Sequence, residues 1–202
     1  MKTRLGFVIA LIEVVSVAGL LFLLRQNGLP AGFGLFLVFG LPIVFGLHVF
    51  EEFIFPGGAQ DWFKAHHPQY ATAYTQSYLF KVNVIPLVLS ALLSFGTFDY
   101  EGSYSFFGIR AWLVFLSFLA FNAIFHIRGT IETKRYSPGI VVSILLYLPL
   151  AIIGFTFLPR TGVVDIVSVF VCIAIGSLLQ PVLDYIKKRN LKKEGKTQSF
   201  SE

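Results

Sequence analysis

The sequence predicts an all-α membrane protein, a bundle of about six transmembrane helices with both termini in the cytoplasm. Three observations lead there. Of 202 residues, 55% are hydrophobic and only 13% charged, whereas soluble domains carry roughly 25% charged residues. The mean hydropathy is +0.75. The apolar residues gather in six runs, each near the ~20 residues that cross a bilayer. The net charge of +5 then reads as membrane topology, because the basic residues sit between these runs; no nucleic-acid partner is expected.

The first run, Leu5–Leu24, follows Met1-Lys2-Thr3-Arg4. It is longer than the apolar region of a signal peptide, contains Glu13 and lacks a small-x-small cleavage site, so it reads as a retained span. Leu35–Phe55 is the second, set off by Gln26-Asn27-Gly28 with Pro30 before it and Pro56-Gly57-Gly58 after it. Leu79–Phe98 and Ala111–Ile127 come next, separated by Asp99 to Ser105. Arg128 to Pro138 reads as the loop before Gly139–Leu158, and Pro159 to Gly162 as the turn before Val163–Leu183. Residues 1–186 thus form a single polytopic domain, and 187–202 a basic cytoplasmic tail expected to fray. The lone cysteine, Cys172, excludes an intramolecular disulfide and reads as a small buried hydrophobe. Gly19, Gly40 and Gly46 suit close helix packing, but their spacing singles out no dimer face, so the oligomeric state stays open.

Orientation follows from the bias of Lys and Arg toward cytoplasmic loops. With the N-terminus inside, the inner segments hold Lys2, Arg4, Lys64, Lys81, Arg128, Lys134, Arg135, Lys187, Lys188, Arg189, Lys192, Lys193 and Lys196. The outer segments hold only Arg25, Arg110 and Arg160. The protein is expected in the cell membrane, with anionic lipid headgroups facing its basic segments.

Ionisable residues inside a bilayer are costly and mark function by default. Glu13, His48, Glu51, Glu52 and His126 are such residues, and Asn122 lies one helical turn before His126. Charge counting alone puts the His48–Glu52 end of the second span and the Asn122–His126 end of the fourth on the cytoplasmic side. On a helix, Glu51 and Glu52 flank His48 on one face, and Asn122 and His126 share a face of another. Two imidazoles and a carboxylate, His48, His126 and Glu52, make a ligand set for a divalent metal: zinc, iron or manganese. In that version Glu51 is the general base and Asn122 orients the substrate or a ligand. Without metal, Glu51 and Glu52 make an acid–base pair, because two close carboxylates in a low dielectric do not both ionise. Glu13 is a further candidate for substrate contact. His66 and His67, near Trp62, read as interface residues.

His48-Val49-Phe50-Glu51-Glu52, Asn122-Ala123-Ile124-Phe125-His126 and Tyr136-Ser137-Pro138-Gly139 together resemble the HXXEE family of bacterial integral membrane proteins. The resemblance spans roughly residues 40 to 158. It carries no established reaction; it implies membership and a functional role for His48, Glu51, Glu52, Asn122 and His126, with Tyr136 as a looser candidate for substrate contact. A zincin-type protease is disfavoured, since no His-Glu-x-x-His is present. A serine-nucleophile elbow lacks its Gly-x-Ser-x-Gly. The Glu51-Glu52 pair is similar to the Glu-Glu-x-x-x-Arg of intramembrane prenyl-protein proteases, but Pro56 stands where that arginine would be. Two carboxylates beside His48 make a poor haem pocket.

The leading expectation is therefore a membrane-embedded enzyme acting on a lipidic or amphiphilic substrate at the cytoplasmic leaflet, either a metal-dependent hydrolase or an acid–base isomerase. A transporter or ion-binding protein using the same cluster is the second class, weakened by the absence of an internal repeat. A structural assembly factor is the third.

Overall fold

The computed structural model describes residues 40–68, 76–97 and 105–198. Among them it is all-helical: α1 (residues 40–53), α2 (Ala59–His66), α3 (Gln76–Phe95), α4 (Phe106–Thr133), α5 (Ile140–Arg160) and α6 (Ile166–Gln198). Three helices are long and apolar enough to cross a membrane, namely Phe106–Thr133, Ile140–Arg160 and the Ile166–Leu183 part of α6. In α3 the apolar stretch is shorter, Phe80–Ser94. The expected span Leu5–Leu24, its Glu13 and the first residues of Leu35–Phe55 lie outside the described residues.

The central helix is α4. Its residues Trp112, Leu113, Leu116, Leu119 and Ala123 are fully buried, and the other helices pack around them. A side chain at Gly154 of α5 would come within 2.6 Å of Leu116 Cδ2. One at Gly176 of α6 would collide with the Val114 carbonyl. Glycine at these crossings lets the backbones approach closely enough for the Ser117 hydroxyl to donate to the Ile173 carbonyl at 3.0 Å. Cys172 is buried in this seam, as expected of a small hydrophobe.

Two boundaries differ from the hydropathy reading. α4 does not stop at Ile127 but runs six residues further. Arg128 Nε donates to Glu132 Oε1 at 2.6 Å, an i,i+4 pair that favours continued helix, and Lys134 ends it in a left-handed conformation, φ 52°. The loop expected over Arg128 to Pro138 thus shrinks to its second half. Likewise α6 extends through Gln198, carrying much of the basic tail as helix.

In α5 the turn Ser143–Tyr147 is π-helical, with the Leu148 N–H bonded to the Ser143 carbonyl. Pro149 follows directly. Its missing N–H and bulky ring disfavour a regular α-turn just before it, and the wider turn relieves both.

At the opposite end from the histidines, Ser105 caps α4 by accepting from the Gly108 N–H, and Asp165 caps α6 by accepting from the Ser168 N–H at 2.8 Å. Arg110 of α4 reaches the cap of α6, donating to Asp165 at 3.1 Å and to Ser168 Oγ at 3.2 Å. The Ser168 hydroxyl and N–H lead in holding the Asp165 carboxyl at about 2, below its ordinary 3.8. A lowered folded-state value stabilises above the unfolded value, and that contribution is lost as pH falls through the folded one. The melting difference between wild type and Asp165→Asn in detergent is therefore expected to be constant above pH 5 and to close as pH drops from about 4 toward 2.

Candidate functional site

Near the end of α1, His48, Glu51 and Glu52 turn inward, each less than a tenth exposed. The chain then turns through Gly57 and Gly58, both at positive φ, and α2 folds back against α4. Trp62 lies over Gly129, where any side chain would meet its ring at 2.7 Å. His66 stacks on Trp62, and its Nδ1 lies 2.8 Å from the Trp62 carbonyl; His67 stacks on Phe125. These two histidines join an aromatic cluster rather than the buried site.

His126 of α4 faces His48, ring centroids 4.9 Å apart. Glu52 Oε1 lies between them, 3.5 Å from His48 Nε2 and 3.4 Å from His126 Nε2. Both distances exceed the 2.7–3.2 Å of a good hydrogen bond. They match the edge of a tetrahedron with metal–ligand bonds of about 2.0–2.1 Å, which is roughly 3.3 Å. The three ligand atoms lie within 4.8 Å of one another, and all three residues are buried. His48, Glu52 and His126 can therefore hold a metal ion, the set expected from the sequence. His126 is oriented from behind, its Nδ1 lying 3.0 Å from Ser137 Oγ, the kind of outer partner that fixes the ring of a metal-binding histidine.

Glu51 does something else. It accepts hydrogen bonds from the Val141 and Val142 N–H groups at 2.9 and 2.7 Å, and from the Tyr136 hydroxyl at 2.5 Å. The N-cap of α5 is Gly139, which has no side chain to satisfy that helix terminus. Glu51 supplies the missing cap from another helix, with its negative charge at the positive end of the helix dipole. Three donors occupy most of the roughly four acceptor positions of a carboxylate, which leaves little of Glu51 for the base role expected of it. Burial, then the Glu51 hydrogen bond and charge, push the Tyr136 phenol well above the ordinary tyrosine range, so it stays a donor.

Gly139 explains why the Tyr-Ser-Pro-Gly stretch ends in glycine. Its φ is 97°, and a Cβ there would lie 2.5 Å from His48 Cε1, 3.0 Å from His126 Cε1 and 3.1 Å from Glu52 Cγ. Backbone thus forms one wall of the trio. Asn122 is half-buried; its Oδ1 has no partner and makes no hydrogen bond to the trio among the described residues. Sequence reasoning missed Ser137 and Tyr147, whose ring lies 4.7 Å from that of His48. Ser137 sits inside a motif already noted, whereas Tyr147 is one aromatic among many in an apolar run.

Beside Glu51, on the outer face of α1 and α5, an open groove of about 270 Å³ is lined by Leu47, Phe50, Phe55, Pro56, Tyr136 and Val141.

The fold and site together define an all-helical protein with helices fit to cross a membrane and a His₂–Glu cluster buried at one end. The family model described as "Protein of unknown function with HXXEE motif" matches residues 39–153, more than half of the chain. The chain belongs to the HXXEE family. No curated protein and no solved structure matches it.

Proposed function

We propose that this chain is a multi-pass membrane enzyme that uses one divalent ion, held by His48, Glu52 and His126, on a lipidic or amphiphilic substrate at the cytoplasmic leaflet. The observation that carries the reading is the geometry of Glu52 Oε1, equidistant from two imidazole nitrogens at ion-spanning rather than hydrogen-bonding range. Zinc, iron and manganese all suit two imidazoles and one carboxylate. Such an ion supplies Lewis-acid polarisation and an activated water, while the protein fixes ligand number and excludes bulk solvent. The substrate class is supported by the open groove beside Tyr136, whose lining by Leu47, Phe50, Phe55 and Val141 is apolar. The cytoplasmic assignment rests on the distribution of Lys and Arg.

The metal-free reading, with Glu51 and Glu52 trading a proton, is weakened by the three donors that hold Glu51. A transport relay across the bilayer is disfavoured for a related reason. The hydroxyls at the far end bond their own helices: Ser90 to the Leu87 carbonyl, Thr97 to that of Ser94, Thr156 to that of Ile152. Among the described residues they leave no chain of polar steps.

Elemental analysis of detergent-purified protein tests the proposal. Wild type is expected to carry about one ion per chain, and His48→Ala, Glu52→Gln and His126→Ala to lose it while remaining helical. A wild type free of metal after incubation with zinc, iron or manganese would overturn the ligand assignment. Proton or metal flux in proteoliposomes, with no lipid turned over, would overturn the enzyme.

A further inference from the structure

We propose that Ser143, Tyr147 and His48 Nδ1 form an oxygen-binding subsite on the inner side of the metal-ligand trio, built to hold one neutral oxygen: a water, or the carbonyl of a substrate. The inference rests on the metal reading above and names the polar group its substrate presents.

Gly139, Ser143 and Tyr147 follow one another at intervals of four along α5, so they form a stripe on one face. Both ends of that stripe meet His48. Gly139 backs its Cε1, and the Tyr147 ring lies 4.7 Å from its ring, tilted by 31°. Ser143 falls between them, in the π-helical turn that starts with it. Such wide turns inside α-helices often mark functional positions. Ser143 and Tyr147 are fully buried and His48 is 2% exposed. Yet Ser143 Oγ, Tyr147 Oη and His48 Nδ1 all lack a hydrogen-bond partner among the described residues. One unsatisfied buried polar group costs about 1–3 kcal/mol. Two of the three lie on the one face of α5 whose ends meet the histidine that carries the third, and this points to a shared ligand, since buried polar groups are as a rule bonded.

The two histidines differ in the way this predicts. His126 has Ser137 Oγ behind its Nδ1; His48 has no such partner. When Nε2 binds the ion, Nδ1 carries the proton and becomes a donor. The imidazole N–H and one hydroxyl can donate to the two lone pairs of a water that donates in turn to the other hydroxyl, and the three groups number within the 2–4 partners an ordered water needs. An amide, ester or ketone oxygen suits the same donors, which would then stabilise charge developing on it.

NMR of ¹⁵N-histidine-labelled, zinc-loaded protein in detergent tests the subsite, with octanamide as a neutral carbonyl probe on a short apolar chain. Wild type is expected to give two zinc-bound histidines, each with an Nδ1–H signal. Tyr147→Phe and Ser143→Ala should keep the zinc and the His126 signal, while the His48 Nδ1–H signal moves and exchanges faster with solvent. A cross-peak from that proton to water identifies water as the resident; its replacement by a saturable octanamide shift, weakened about fivefold or more in both variants, identifies a carbonyl site. A His48 signal that neither variant nor probe disturbs overturns the subsite and leaves the metal centre standing. Failure of wild type to bind zinc, iron or manganese overturns both.

Discussion

Replacing Gly139 by alanine is expected to cost about 2–5 kcal/mol of stability and to abolish metal binding. Two effects add. At φ 97° an L side chain is strained by about 1–2 kcal/mol. The new methyl would also meet His48 Cε1, His126 Cε1 and Glu52 Cγ at 2.5–3.1 Å, and such crowding of a packed interior costs about 1–3 kcal/mol more. Gly58 separates the two contributions. Its φ is 94°, nearly the same, but nothing lies within 4 Å of a Cβ built there. Gly58→Ala should therefore lose only the strain and keep its metal. Thermal unfolding in detergent and metal content, measured side by side, check this. Equal losses for the two variants would mean that the Gly139 backbone does not wall the cluster.

The contrast shows where the sequence is legible and where it is not. His48, Glu52 and His126 stand out because charged and imidazole groups are rare in apolar runs and because i,i+4 spacing is a local property. The loops' basic residues suffice to bring the two motif-bearing ends to one side, and His48 and His126 do meet at one end of the bundle. Helix ends are harder. Hydropathy marks where a helix leaves the apolar layer, not where it stops, so α4 outruns Ile127 by the length of its polar extension. Gly139 is visible as one residue of a motif, but the reason for it is the approach of His48 from another helix. Ser143 and Tyr147 carry no local signal, since serine and tyrosine are ordinary in membrane helices; only burial without a partner marks them. Most instructive is Glu51. Beside His48 and Glu52 it reads as chemistry, and only the position of the α5 terminus, ninety residues along the chain, makes it a cap.

That distinction yields opposite outcomes for two adjacent glutamates. Glu51→Ala deprives the Val141 and Val142 N–H groups and the Tyr136 hydroxyl of their acceptor. Hydrogen bonds to a charged group contribute about 1.5–3 kcal/mol each, and removing a shared acceptor strands its donors. The site is partly open at Tyr136, where water can replace some of the loss, so a net cost of about 2–4 kcal/mol is expected. Glu51→Gln keeps one acceptor oxygen and should recover part of this, while Tyr136→Phe, which removes one donor with its bond, should cost about 1 kcal/mol. All three should retain the ion once folded at low temperature. Glu52→Gln should do the reverse: little change in the unfolding of the metal-free protein, and loss of the ion, because an amide oxygen is a far weaker ligand than a carboxylate. Melting curves with and without a chelator, on all four variants, distinguish anchor from ligand. If Glu51→Gln instead unfolds like wild type and stops turnover of a lipid substrate, the carboxylate is the base that its place beside His48 suggests, and its contact with α5 must open for the reaction to proceed.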